Sequence, residues 1–296
     1  MHFRIGSIAI PYLIDLLLQL QDRGRLSLDN RVSKWFPDLP NADGVTLRML
    51  ASSTSGYPDW IQGNPVFIDA FLGSPFRQWK TQELVDAAFA RDEPCLPGKC
   101  FSYAHTNFVI IERIIGRVTR QPVGRLMRKR VLRPLGVRQT KISAFPAIPA
   151  PTLHAYVSDR GPYEDSTSWS PSWTIGKSTI MTATTGDMIR AARAFGTGAL
   201  ISQKASRQRF APITADLAPF NDDFYYGLGI LVSNGWEFQN PELNGYTAIA
   251  GYLPSRRMSL AITVTNRRRA AATGTNYSQK LFTTISGYLT PSHRVG

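Results

Sequence analysis

The stretch Phe3-Arg4-Ile5-Gly6-Ser7-Ile8-Ala9-Ile10-Pro11-Tyr12-Leu13-Ile14-Asp15-Leu16-Leu17-Leu18-Gln19-Leu20 decides how the rest of the chain is read. Leu13, Leu16, Leu17 and Leu20 recur at helical spacing on one broad face, while Asp15, Gln19 and Asp22 mark the wet side. Pro11 falls in the first turn, where its missing N–H is tolerated, and Gly24 supplies a stop. The spacing therefore predicts a helix over residues 7 to 24 with Ser7 at or near its N-cap. The simplest reading of that hydroxyl is a cap. The apolar run from Ile8 to Leu20 is interrupted by Asp15 and Gln19 and is shorter than the roughly 18 residues of a bilayer span, so it reads as a buried helix.

A chain of 296 residues, 43% hydrophobic and 19% charged, with fifteen Phe, eleven Tyr and six Trp, can bury a large core. Bulk disorder and a small disulfide scaffold are excluded. Thirty-four basic against twenty-one acidic residues leave +13. Such a charge suits nucleic acid, an anionic envelope surface or an acidic substrate. The basic residues are scattered, with a local group at Arg125, Arg128, Lys129, Arg130 and Arg133. No zinc-finger spacing, glycine-rich phosphate loop or aromatic-basic RNA motif accompanies them, so no nucleic-acid partner is expected. Peripheral contact with an envelope surface stays compatible with the charge.

Working outward from the first helix, Asp29 to Pro40 reads as a turn-rich connection, Leu47 to Ala51 as a short helix, and Thr54-Ser55-Gly56-Tyr57-Pro58 as a loop. Helical periods recur over residues 106 to 118, 123 to 132, 185 to 194 and 277 to 289. Residues 143 to 180, rich in Pro, Ser and Trp, read as a lid or a packed loop. Tyr225 to Val232, Tyr246 to Leu253 and Met258 to Thr265 read as three antiparallel strands. Cys95 and Cys100 flank a Pro-Gly turn that can bring their sulfurs together, so they read as a small-loop disulfide, with free thiols as the alternative. A formed bridge would argue for an oxidising compartment.

Phe3-Arg4-Ile5-Gly6-Ser7 with its leucine-rich helix, Thr54-Ser55-Gly56, Pro97-Gly98, Phe101-Ser102-Tyr103, Thr106-Asn107, Pro134-Leu135-Gly136, Thr182 to Asp187, Tyr226-Gly227-Leu228-Gly229 and Gly245-Tyr246 occur in this order. Together they resemble the serine β-lactamase and D-alanyl-D-alanine peptidase superfamily, in its class C-like branch that includes esterases. The resemblance covers essentially the whole chain. It implies an α/β (α+β) fold: an antiparallel sheet flanked by helices, built from residues 1–24 and 221–296, plus a mostly helical domain over 25–220. It also implies a small-molecule ester or amide, or a cell-wall-related ligand, and no metal or organic cofactor. Members usually carry a helix and two strands ahead of the nucleophile helix, whereas six residues precede Ser7 here, so the N-terminal part of the sheet is expected to be missing. An extracytoplasmic or envelope location is expected, although the chain begins with no signal peptide.

In that family a Ser-x-x-Lys pair at a helix N-terminus provides the nucleophile and its basic partner, because residues three apart set hydroxyl and amine side by side. Ser7 fits the nucleophile position, and the lysine position is Ile10, which cannot accept a proton. The Tyr-x-Asn triplet becomes Tyr103-Ala104-His105. An imidazole can serve as general base, so Ser7, Tyr103 and His105 form a conceivable rearranged relay; the plainer reading is a histidine bonded to neighbouring backbone. The Lys-Thr-Gly or His-x-Gly position falls at Gln239-Asn240-Pro241, with no cation between Trp236 and Arg256. Asn107, Gln239, Tyr246 and Thr247 are the substrate-binding positions the resemblance sets, with an oxyanion donor near Tyr246 to Thr247. Trp60, Trp169 and Trp173 either line the cleft or pack beneath loops. Two readings follow: a serine hydrolase, with ordinary β-lactam turnover disfavoured, or a non-catalytic binding protein that keeps the cleft. A remnant too short to fold alone is a third.

Overall fold

In the computed structural model, which describes residues 1–267 and 275–295, the leucine-rich helix is the axis on which the rest is assembled. The chain opens with β1 (Phe3–Arg4) and a 3-10 turn (Gly6–Ala9), then enters α1 (Ile10–Asp22). The helices α2 (Leu47–Ala51), α3 (Pro65–Gly73), α4 (Thr81–Phe89), α5 (His105–Thr119) and α6 (Val123–Met127) follow, and a π turn (Arg128–Leu132) leads into α7 (Arg133–Leu135). Short strands β2 (Lys141–Ile142), β3 (Tyr156–Val157), β4 (Glu164–Asp165) and β5 (Met181–Ala183) punctuate a long loop, and α8 (Thr185–Gly196) and α9 (Gln203–Arg209) close this half. The remainder is β6 (Phe224–Tyr226), β7 (Leu231–Ser233), β8 (Trp236–Gln239), β9 (Glu242–Leu243), β10 (Tyr246–Leu253), β11 (Met258–Thr265) and α10 (Tyr277–Leu289).

Residues Ile10 to Leu20 are all buried. The expected wet side of α1 is therefore not wet. Asp15 meets the fully buried Arg209 of α9 at 2.5 Å, and Gln19 donates to the carbonyl of Arg130 at 3.1 Å. Polar groups can be buried at these positions because each finds a partner. The helix proper also begins later than its spacing suggests. Pro11 occupies its first turn, and Ser7 sits one turn upstream in the 3-10 segment, capping nothing.

The main sheet is antiparallel with strand order β11-β10-β8-β7-β6, and β9 pairs with the start of β10. Side chains of β10 alternate between two cores, as strand geometry requires. Tyr246, Ala248, Ala250 and Tyr252 join the large core around α1 and α8, while Ile249 and Leu253 pack with Trp236, Phe238 and Phe282 of α10. Helices thus cover both faces. A small sheet, β1-β5-β2, ties the first residues to the long loop. The single strand read over Tyr225 to Val232 is two strands, β6 and β7. The chain breaks at Gly229, whose φ of +68° only glycine adopts freely, and Leu228 N–H leaves the ladder for the carbonyl of Arg209. Trp236 to Gln239, read as no element, is β8. Its residues are buried on both faces and show no alternation. Among the described residues no helix is long and apolar enough to cross a membrane.

Candidate active site

Three sequence-predicted residues, Ser7, Tyr103 and His105, line one cleft of about 530 Å³ between the helical region and the sheet. Gln239 lines it as well. Gly6 seats Ser7. Its φ is +47°, and a Cβ there would stand 2.6 Å from Cβ of Pro241, so only glycine lets the turn before α1 lie against the β8–β9 junction. Tyr103 arrives from the segment after the disulfide. Cys95 and Cys100 are joined, with Cα atoms 6.2 Å apart. The bridged loop rests on the Thr-Ser-Gly loop, Gly98 N–H donating to Thr54 O at 2.8 Å and Ser102 N–H to Ser53 O at 2.9 Å.

The Ser7 side chain is close enough to favour the Tyr103 phenolate, yet Tyr103 Oη is buried without a well-formed hydrogen bond. Burial dominates. Together with Tyr226 and Asp59 it pushes the phenol well above the ordinary tyrosine value, so Tyr103 stays neutral at working pH. Its ring meets the His105 ring edge-on, centroids 5.1 Å apart.

His105 opens α5, and its partner was not anticipated. Asp59 Oδ2 accepts from His105 Nδ1 at 2.8 Å and from the His105 backbone N–H at 2.5 Å, while Oδ1 accepts from Ile61 N–H at 2.6 Å and Gln62 N–H at 2.9 Å. The Asp59 side chain is only 4% exposed, that of His105 19%. Burial raises the Asp59 pKa, but the His105 charge and these hydrogen bonds outweigh it and hold the carboxyl below its ordinary value. With Nδ1 given to a carboxylate, Nε2 is the nitrogen left for the cleft. Nothing in Tyr57-Pro58-Asp59-Trp60 marks the aspartate in advance, because its partner lies 46 positions away.

Asn107 does not reach the cleft. It is fully buried in the first turn of α5, where its Oδ1 accepts from Ser55 Oγ at 2.6 Å, and Thr106 Oγ1 donates to Pro58 O at 2.7 Å. Both clamp the loop that carries Asp59. Tyr246 and Thr247 also lie away from the cleft. Tyr246 Oη donates to Leu153 O at 2.7 Å, and the buried Thr247 hydroxyl sits 2.9 Å from Ser278 Oγ. Gln239 is buried, its Nε2 donating to Gly229 O at 2.8 Å and Tyr226 Oη at 3.3 Å. Ile10 is fully buried with its Cγ2 2.8 Å from where a Cβ on Gly229 would be, so the lysine position is occupied by apolar packing.

The cleft walls are largely apolar, with Ile61, Phe101, Trp173, Phe220 and Phe224 among them. Trp173 is the one of the three anticipated tryptophans on this wall; Trp60 is fully buried and donates to the carbonyl of Trp173 at 2.8 Å. The loop bearing Trp173 is packed down as a wall. Both Glu112 carboxylate oxygens accept from Ser178 N–H, at 3.1 and 3.2 Å, and Pro75 O accepts from Ser170 N–H. Burial raises Glu112 to about 7. Arg4 also lines the cleft, donating to Ser143 O at 2.8 Å and to Phe145 O; burial lowers its pKa to about 10 and leaves it protonated.

A serine heading a buried helix between a helical region and a two-faced antiparallel sheet is the arrangement of the β-lactamase and transpeptidase fold. The Beta-lactamase family model matches residues 1–282, and the chain belongs to that family. The chain is 34% identical to Penicillin-binding protein 4 of Amycolatopsis lactamdurans over 143 residues, 47% of this chain and 35% of that one. It thus spans about a third of that relative's length. Among solved structures, the D-stereospecific amidohydrolase from Streptomyces sp. superposes with a TM-score of 0.81 at 28% identity, covering 93% of this chain and 87% of that one. The D-amino acid amidase from Ochrobactrum anthropi SV3, complexed with L-phenylalanine amide, gives 0.76 at 25% identity over 90% and 77%.

Proposed function

We propose that the chain is an acyl-transfer hydrolase acting through Ser7 on uncharged esters or amides with an apolar or aromatic group. The observation that carries this reading is the cleft shared by Ser7, Tyr103 and His105, with Asp59 holding His105 Nδ1. Ser7 Oγ bonds to the carbonyl carbon, and its proton passes by way of the neutral Tyr103 phenol to His105 Nε2. The same proton is returned to the departing alcohol or amine, and water then repeats the cycle on the acyl-enzyme. A general base is worth roughly a hundred- to ten-thousandfold, which is what Ile10 forfeits and His105 supplies.

The oxyanion donors are Ser7 N–H, at the positive end of α1, and Glu242 N–H on β9. Ladder alternation supports the second. Ala248 N–H bonds to Pro241 O, so the next pair, Thr247 with Glu242, is not hydrogen-bonded, and Glu242 N–H points away from β10. This replaces the donor expected near Tyr246 to Thr247. Substrates that need a cation at position 239 for a carboxylate fit poorly, because a neutral amide already engaged by Gly229 and Tyr226 stands there and the cleft's Arg4 is turned to the carbonyls of Ser143 and Phe145.

The competing reading, a binding protein without chemistry, is favoured by the apolar filling at Ile10. One comparison separates the two. Wild type treated with a fluorophosphonate probe and with p-nitrophenyl esters is expected to be labelled and to turn over, and Ser7→Ala to do neither. Equal labelling and rate in the two proteins would end the hydrolase reading.

A further inference from the structure

The basic run Arg128-Lys129-Arg130 forms most of the π turn, and Arg133 opens α7 directly after it. The fold brings further cations to this segment. On one side of it lies a groove of about 590 Å³ lined by Arg23, Lys129 and Arg130, where burial and then the charges of Arg23 and Arg25 lower the Arg130 pKa. On the other side a groove of about 310 Å³ is lined by Arg128, Arg133, Arg138 and Lys141. All of these are exposed except the half-buried Arg130, and among the described residues none forms an ion pair. The carboxylates nearby are engaged elsewhere. Asp22 accepts from Ser202 N–H at 2.7 Å and from Ser202 Oγ at 2.5 Å, and Asp187 accepts from Gln139 N–H, Thr140 Oγ1 and Arg190. The negative end of the α1 dipole accounts for Arg23 and Arg25, but not for the cations of the second groove. Gathered without counter-charges, they repel one another, a cost that a bound anion removes.

We propose that this face docks on an anionic lipid surface, with phosphate headgroups seated in the two grooves astride residues 128–135. A single phosphate fills one groove and leaves the other uncompensated, whereas a surface that repeats its phosphates serves both. The grooves also carry carbon. Half-buried Leu200 and Ile201 line the first and half-buried Ile142 the second, which suits a phosphate borne on an acyl glycerol better than a bare phosphate chain. Among the described residues lining them, no Phe, Tyr, Trp or His offers a face to a nucleobase. The placement keeps the cleft free. Helix α1 has 13 residues and so runs about 20 Å; the first groove lies at its C-terminal end, beside Gln19 and Asp22, and Ser7 precedes its N-terminal end. Docking therefore requires no chemistry at Ser7 and does not cover it.

Co-sedimentation with vesicles tests the assignment. At low salt the protein is expected to favour mixed phosphatidylcholine–phosphatidylglycerol vesicles over pure phosphatidylcholine by about tenfold or more, and to lose that preference as salt is raised. Arg128→Glu with Arg133→Glu should weaken binding to the mixed vesicles by about tenfold or more. Arg256→Glu with Arg257→Glu makes the same change in net charge on the exposed turn between β10 and β11, and should leave binding within about twofold. Circular dichroism and thermal unfolding establish that each variant is folded, and the comparison of the two vesicle types stands on the parent protein alone. Equal binding to the two vesicle types, equal losses in the two double variants, or release of the bound protein by inorganic phosphate or a DNA duplex at the same phosphate concentration overturns the proposal.

Discussion

Replacing Asp59 by Asn changes a single atom and leaves no cavity, so its effect isolates the carboxylate. The two oxygens of Asp59 accept from four donors: His105 Nδ1, His105 N–H, Ile61 N–H and Gln62 N–H. An amide has one acceptor oxygen. Turned with its oxygen toward Ile61 and Gln62, the amide presents its NH2 to the His105 backbone N–H, which loses its acceptor, and to Nδ1, which can accept from it only by taking the other tautomer. At about 1–3 kcal/mol for a buried unsatisfied group, the loss is about 1–3 kcal/mol at pH 7. Urea denaturation measures it directly. The effect also has a pH signature. The folded carboxyl is held below its ordinary value, so the stability it contributes is complete above about pH 4 and disappears as pH falls through the lowered value. The gap between wild type and Asp59→Asn should therefore be constant at neutral pH and close on acidification. Because Asp59 also fixes the His105 tautomer, fluorophosphonate labelling should slow by about a hundredfold or more. A stability loss under about 1 kcal/mol together with an unchanged labelling rate would refute the reasoning.

Two further outcomes follow from the same geometry. Gly229→Ala would force a side chain at positive φ and drive a methyl to 2.6 Å from Ile14 Cγ1, so thermal unfolding should register a loss of about 2–4 kcal/mol. Glu112, raised to about 7 mainly by burial, contributes stability that is complete below about pH 4.5 and is lost as pH rises through 7. The residue is not wholly covered, so the decline is nearer about 1–2 kcal/mol than the full value of the shift. Chemical denaturation of Glu112→Gln from pH 5 to 8 should lack that decline; an identical decline in the variant would assign it elsewhere.

The helices and strands with a strong period were legible from the residues. Helix α5, strands β10 and β11 and helix α10 fall where their spacing puts them, and the axis helix is where it is expected but starts three residues late, at Ile10. What escaped had physical reasons. Strand β8 is buried on both sides and shows no alternation, and α3 and α4 are short segments defined by packing around Trp60 and Trp169 more than by pattern. The buried Asp15 and Gln19 look like solvent-facing residues until Arg209 and the carbonyl of Arg130, both distant in sequence, are folded against them. The same limit governs the site. Ser7, Tyr103 and His105 belong to recognisable local stretches, whereas Asp59 meets His105 only through the fold.

Ile10 has a consequence for anyone hoping to rebuild the usual proton acceptor in this chain. Its methyl groups press on Gly229, and the same glycine carbonyl holds the Gln239 amide, so helix, turn and strand interlock at that point. A lone ammonium introduced at position 10 would arrive in a fully buried space shaped for a hydrocarbon. Installing a lysine there therefore calls for room in the turn around residue 229, and through that turn it touches the hold on Gln239.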